Sequence, residues 1–337
     1  MLPGKTIIEM LLKNVEKHGH RNLFSFLEQG ETLSRSATFN EVALHACQIA
    51  HWLNDQGMTR QRVVLIFPPG IEFAEAYLGC LMARAIAVPL APMLSARTDH
   101  RTYKTVAVME DCAPALVIGT AETLAPVMNA WPKSGAGGPV FCDYSQIDLS
   151  RVRSTPPDVL PQPAELAMLQ YTSGSTSLPK GVMLSHHNVL HNVAHFDEHW
   201  DHAEGSRLVS WLPHFHDLGL LYGLLLPVYK GIEAYLMPPA SVVQRPVRWL
   251  RAISQYGGTH SMGPNFMYEL CCHRIDDADL AGIDLSSWRM SLNAAEPVRS
   301  STIRRFNERF ASVALSPLTL TGGYGLAEAA CRVTAAS

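Results

Sequence analysis

Charged residues make up only 17% of the 337-residue chain, and 27 Lys and Arg nearly balance 30 Asp and Glu, for a net charge of −3. Such a balance offers no basic footprint for nucleic acid, so none is expected as a partner. The seven cysteines contain no C-x-x-C pair, the closest two being Cys271 and Cys272. An odd number of scattered thiols in a chain too large to need staples argues for reduced cysteines, and so for a cytoplasmic setting. The opening MLPGKTIIEML has no basic segment followed by an apolar core, so no secretory signal is visible. The longest apolar run, Leu78 to Leu94, is interrupted by Arg84, Pro89 and Pro92, which excludes it as a membrane span. There is no short-period repeat. There is also no G-x-x-x-x-G-K-[ST] pattern, which excludes the common P-loop.

Hydrophobic residues are plentiful at 47%, enough to pack about two ordinary domains or one large domain with two lobes. Short β-branched runs alternate with helical patterns. Strands are predicted at 62–67, 86–90, 115–119, 140–142 and 167–172, then at 207–211, 233–237, 259–262, 289–293 and 318–321. Helices are predicted between most of them, among them 39–55, 71–82, 242–256 and 298–310. This alternation predicts an α/β fold: two similar lobes of mostly parallel sheet flanked by helices, one over about residues 60–200, the other over about 1–59 and 201–337. The proline-rich stretch 151–163 reads as a surface connector and SGAGGP at 134–139 as a turn.

The densest chemistry is YTSGSTSLPKG, Tyr171 to Gly181. Glycines and small hydroxyl residues let a loop close around an anion with backbone N–H and side-chain O–H groups, and Lys180 adds a point charge. An apolar run leads in and a helical pattern begins near Ser185, which predicts a strand–loop–helix phosphate site. SWLPHFHDLGL (210–220) places His216 and Asp217 after a strand, where α/β proteins build sites. A satisfied structural histidine is the alternative reading. Residues 244–271 read as helix, strand and helix, with Gly263–Pro264 opening the last. SLNAAEPV (291–298) ends a strand and is predicted to start a helix at Pro297. His187, His191, His195 and His199 recur every fourth residue and mark one exposed helix face; a metal site there lacks a further carboxylate or cysteine ligand.

YTSGSTSLPKG resembles the phosphate loop of the adenylate-forming enzymes: acyl-CoA synthetases, peptide-synthetase adenylation domains and luciferases. Ser177 stands where the wider family usually has Gly. R-P-x-R-W-L-x-x-I-S, G-P-N-F-x-Y-x-L-C and W-L-P-x-x-H-D-x-G-L resemble the fatty acyl-AMP ligase branch most. This resemblance implies ATP and Mg²⁺ as cosubstrate and cofactor, a fatty acid as substrate, and the thiol of an acyl carrier protein as acceptor. It implies a nucleotide site from Thr172, Ser173, Gly174, Ser175, Thr176 and Lys180, from Ala294, Ala295 and Glu296, and from Gly323, Tyr324 and Gly325. It implies catalytic roles for His216, Lys180 and Glu328, Mg²⁺ on Glu328 with Thr176, and an acyl site at His216, Met262, Gly263 and Phe266. For the last three, plain core is the alternative. Ala294 replaces a Gly of the family's N-G-A-E-P motif. The family continues past the Y-G-x-x-E motif into a ribose-binding segment, a hinge and a small lid domain. The chain therefore corresponds to an incomplete large N-terminal domain, and weak or no turnover is expected of it alone. An acyl-CoA synthetase and a non-catalytic fatty-acyl or nucleotide-binding module are the alternative readings.

Overall fold

The structure, a computed structural model, describes residues 6–93, 100–132, 138–172, 179–200 and 202–335. The chain opens with α1 (Ile7–His18), the hairpin β1 (Asn22–Glu28) and β2 (Thr32–Thr38), and α2 (Phe39–Asp55). Next come β3 (Arg62–Ile66), α3 (Ile71–Met82), β4 (Ile86–Pro89), α4 (His100–Cys112), β5 (Leu116–Gly119), α5 (Ala121–Ala130) and β6 (Val140–Asp143). β7 (Leu166–Thr172) and β8 (Lys180–Ser185) precede α6 (His186–Trp200) and β9 (Arg207–Ser210). α7 (Asp217–Leu220) runs through a π-helical turn into α8 (Leu226–Lys230). Then follow β10 (Glu233–Leu236), α9 (Pro239–Gln244), α10 (Val247–Tyr256), β11 (His260–Gly263) and α11 (Asn265–Arg274). The last elements are β12 (Met290–Asn293), α12 (Ser300–Phe310), β13 (Leu320–Leu326) and β14 (Cys331–Ala335).

Two compact units share the chain: residues 1–16 with 40–191, and residues 17–39 with 192–337. The first holds a six-stranded sheet in the order β6-β5-β3-β4-β7-β8, parallel except for the edge strand β8. Strands β3 (RVVLI) and β5 (LVIG) are almost wholly buried, as continuous apolar runs covered on both faces must be. The second unit holds an eight-stranded sheet, β14-β13-β12-β11-β9-β10-β1-β2. Its six inner strands are parallel, and the two edges, β2 and β14, are antiparallel. From β9 the chain moves to β10 on one side, then crosses to β11 on the other. The crevice outside the carboxyl ends of β9 and β11 is thus the switch point at which open α/β sheets bind ligands.

The second core is built on Trp249 of α10. Trp211, Tyr268 and Trp288 meet it edge-on at ring-centroid distances of 5.8, 5.5 and 5.2 Å. Its indole N–H donates to Ser261 Oγ at 2.8 Å, which in turn donates to the Val209 carbonyl at 2.6 Å, so the helix is pinned to β11 and β9. α10 ends on Gly257 in the left-handed region (φ 61°), a usual helix stop.

Four elements differ from the sequence expectation. The predicted helix 242–256 is two helices, because Pro246 lacks the N–H a continuous helix needs. The helix expected to begin at Pro297 begins at Ser300. The strand predicted at 318–321 starts two residues later and runs on to Leu326, paired with β14. The expected strand–loop–helix at the phosphate motif is strand–loop–strand: β8 returns antiparallel to β7 before α6 starts.

Candidate functional site

In the first unit, Thr172 ends β7 and Lys180 opens β8, and the two are register partners across the mouth of the hairpin. Ser173, Gly174, Ser175, Thr176 and Ser177 lie outside the described residues. Because a strand follows the loop, no helix N-terminus closes it. Lys180 is exposed, and among the described residues nothing pairs with its ammonium. The hairpin base is held from below. The Tyr171 hydroxyl donates to the Asp111 carboxylate on α4, and burial with that bond holds the phenol well above its usual range. Glu165, just before β7, receives Arg84 at 2.5 and 3.0 Å and the Gln162 N–H at 3.0 Å. The Arg84 bond is the main reason its pKa falls to about 2.

In the second unit, the remaining predicted residues sit on four neighbouring strand ends. After β9, His216 N-caps α7 with its backbone; its Nδ1 lies 2.6 Å from Asp217 Oδ1. Asp217 is nearly buried and also accepts the Leu218 N–H at 2.7 Å, so it fixes both the turn and the ring. The contact raises the His216 pKa, favouring the imidazolium, while the side chain stays 57% exposed. Gly219 is required here: a Cβ would fall 2.1 Å from the Pro213 carbonyl oxygen.

After β11, Gly263 faces the indoles of Trp211 and Trp249, with room for a Cβ only at 3.0 and 3.6 Å. Met262 is buried in the strand, and Phe266 is 46% exposed at the start of α11. After β12, the left-handed residue is Ala295 (φ 69°), not Ala294, so the methyl at the motif's usual Gly position meets no left-handed backbone penalty; it is buried. Glu296 accepts the Phe266 N–H. Along β13, Gly323, Tyr324 and Gly325 lead to Glu328 in the turn before β14. The Asn192 side chain donates to the Ala329 carbonyl of that turn at 3.2 Å. Tyr324 and Glu328 are exposed, and among the described residues no cation pairs with the Glu328 carboxylate. Two buried polar atoms at these strand ends, Trp211 Nε1 and Asn293 Oδ1, have no hydrogen-bond partner among the described residues. Such open groups call for an explanation, and a ligand supplies one.

His187, His191 and His199 are exposed, as a polar helix face requires. No group of three metal-ligating side chains occurs among the described residues, and none of the described helices is long and apolar enough to cross a membrane.

The second unit is thus an open α/β sheet with four loops gathered at its switch point, the place where such sheets bind ligands. The sequence profile of the family described as AMP-binding enzyme matches residues 11–337, and the chain belongs to that family. It is 36% identical over 333 residues to the medium-chain fatty acid–acyl carrier protein ligase JamA of Moorena producens, across 98% of this chain and 56% of that protein. It is 35% identical over 341 residues to the long-chain fatty acid–AMP ligase FadD26 of Mycobacterium marinum, across 98% of this chain and 58% of that one. Its fold matches the fatty acyl-adenylate ligase from L. pneumophila solved with acyl adenylate and pyrophosphate, at a TM-score of 0.90 and 33% identity, covering 99% of this chain and 57% of that chain. The chain thus spans little more than half the length of these relatives.

The sequence carries no signal for the contacts made by Asp111, Arg84 and Glu165, and only a weak one for Asn265. Asp111 and Tyr171 are 60 positions apart, and no local pattern joins them. Asn265 belongs to G-P-N-F-x-Y-x-L-C, where an amide directly after Gly-Pro at a helix start is the available signal.

Proposed function

We propose that this chain carries the site at which a fatty acid is activated as acyl-AMP, for transfer to the thiol of an acyl carrier protein. The observation that carries the reading is the set of four loops on adjacent strand ends, containing His216, Gly263, Glu296 and Glu328, in a member of the AMP-binding enzyme family. JamA, by its name, hands its acyl group to a carrier protein, which favours that acceptor over coenzyme A.

In this reading the carboxylate attacks the α-phosphate of ATP, a P–O bond forms to the acyl oxygen, and pyrophosphate leaves. The Thr172–Lys180 hairpin holds the departing phosphates. His216, kept toward its charged form by Asp217, sits beside the acyl oxygen and α-phosphate and offsets negative charge there. Tyr324 offers a flat face to adenine. Glu328 fits Mg²⁺ by its donor chemistry: a single exposed carboxylate with no cation partner among the described residues is what a cation shared with substrate phosphates uses, with Thr176 as a further oxygen. When bound, the ion neutralises phosphate charge. Met262, Gly263 and Phe266 line the acyl path. A cytoplasmic, reducing setting belongs to the same reading and is supported by seven unpaired cysteines.

The test is a thermal-shift titration of the chain with a non-hydrolysable long-chain acyl-adenylate mimic beside an aminoacyl-adenylate mimic. At a hundredfold excess over Kd, binding adds about 2.7 kcal/mol to folding stability. A shift with the fatty mimic alone is expected; no shift with either, or a shift with the aminoacyl mimic alone, overturns the reading.

A further inference from the structure

Four hydrogen bonds cross between two loops of the second unit, and they run in both directions. The Ala294 N–H donates to the Gly263 carbonyl at 3.3 Å. Asn265 Oδ1 accepts twice, from Asn293 Nδ2 and from the Arg299 N–H, each at 3.1 Å. In return, Glu296 Oε1 accepts the Phe266 N–H at 2.5 Å. Every bond joins the segment 263–266 to the segment 293–299. The first carries the acyl candidates Gly263 and Phe266; the second carries the nucleotide candidates Ala294 and Glu296.

We propose that Asn265 and Glu296 are positioning residues that couple the two halves of the site, so that nucleotide at 294–296 sets the start of α11 for the acyl chain. This rests on the adenylation reading. It reassigns Glu296: its carboxylate is occupied by a helix-start N–H, one of the donors that a helix leaves unsatisfied within itself, and there it also favours the helix dipole. Asn265 is 5% exposed and takes donors from both ends of the 293–299 loop, so movement of that loop is passed directly to the first turn of α11. Coupling of this kind is reciprocal: whatever factor nucleotide adds to acyl affinity, the acyl chain returns to nucleotide.

The experiment measures dodecanoate affinity of the chain with and without a saturating non-hydrolysable ATP analogue, in the native protein and in Glu296→Ala, Glu296→Gln and Asn265→Ala. The native protein is expected to show a coupling factor of about fivefold or more. Glu296→Ala and Asn265→Ala are expected to bring it below about twofold, and Glu296→Gln, which keeps the acceptor oxygen, to retain most of it. An unchanged factor in Glu296→Ala, or a Gln variant as uncoupled as the Ala variant, overturns the proposal. Amide hydrogen exchange reads the link itself without ligand. Glu296→Ala is expected to speed exchange at residues 266–268 and 294–299 about tenfold while leaving β3 and β5 unchanged; exchange confined to Phe266 overturns the link. A native protein that binds neither dodecanoate nor the ATP analogue overturns the adenylation reading instead, while exchange still decides the link. Glu296 is exposed, so its variants retain the fold even if Asn265→Ala does not.

Discussion

The phenol of Tyr171 lies across Gly181, its partner in the β7–β8 register: a Cβ on Gly181 would sit 2.9 Å from Tyr171 Cζ and 3.1 Å from its hydroxyl oxygen. The ring has little freedom to give way, because its hydroxyl is committed to Asp111. Gly181→Ala is therefore expected to cost about 1–3 kcal/mol in urea unfolding, as overpacked sites do. In a Tyr171→Ala background the same change should cost less than about 0.5 kcal/mol. Equal costs in both backgrounds would show that the ring is not what excludes the methyl.

Glu165 gives the first unit an acid limit. Its folded pKa, about 2, lies below the ordinary value of 4.5. As pH falls, the unfolded chain takes up this proton first, so the contribution is complete above pH 4.5 and is lost toward pH 2. Glu165→Gln is expected to remove about 2–3 kcal/mol at neutral pH and to flatten the acid limb of the stability curve. An unaltered acid limb would dismiss the Arg84–Glu165 pair as its origin.

His260 limits the second unit at milder acidity. Burial, then the neighbouring His202 stacked at 4.2 Å, lowers its pKa to about 3, and Arg289 opposes its charge while Asp197 favours it. Its Nε2 donates to the Trp200 carbonyl at 3.0 Å, and Nδ1 accepts from Thr259. The unfolded chain protonates this ring near pH 6.5 and the folded chain does not, so stability falls as pH drops from 6.5 toward 3. The slope reaches about 1.4 kcal/mol per pH unit. His260→Asn is expected to lower stability at pH 8 but to reduce that slope, followed by thermal melts across pH 4–8. A slope that does not change would contradict the neutral assignment.

His216 and Gly219 separate chemistry from scaffolding within one loop. The His216 side chain is more than half exposed, so His216→Ala should alter stability by less than about 1 kcal/mol while abolishing the shift produced by the acyl-adenylate mimic. Gly219→Ala forces a methyl against the Pro213 carbonyl and should lower both, with a stability loss of about 2 kcal/mol or more. Retained mimic binding in His216→Ala would remove this residue from the acyl and phosphate centre.

Strands β3 and β5 were legible because they are buried on both faces: RVVLI and LVIG state their role in five and four residues. The hairpin strands β1 and β2 and the returning strand β8 were not, although the edge strand β6 was. β2, TLSRSAT, is mostly exposed and polar, and β8 is mostly half-exposed and carries Gly181, so neither shows a strand period against solvent. Motif membership was readable for His216, Glu296 and Glu328, because each lies within a short contiguous run. The bonds of Asn265 to Asn293 and Arg299 span 28 and 34 positions, and only folding brings them together. The role of Glu296 was obscured for the same reason: a carboxylate beside Pro297 reads as a ligand contact until its partner, 30 positions upstream, is seen.

The cross-bonded loops also bear on how such a chain can change by recombination. Residues 263–266 and 293–299 are separate in sequence but share four hydrogen bonds, so they constitute one heritable block with two addresses. A chimaera that imports only one of them inherits donors and acceptors cut for an absent counterpart. One that imports both keeps all four bonds matched, while the strands beneath stay with the host.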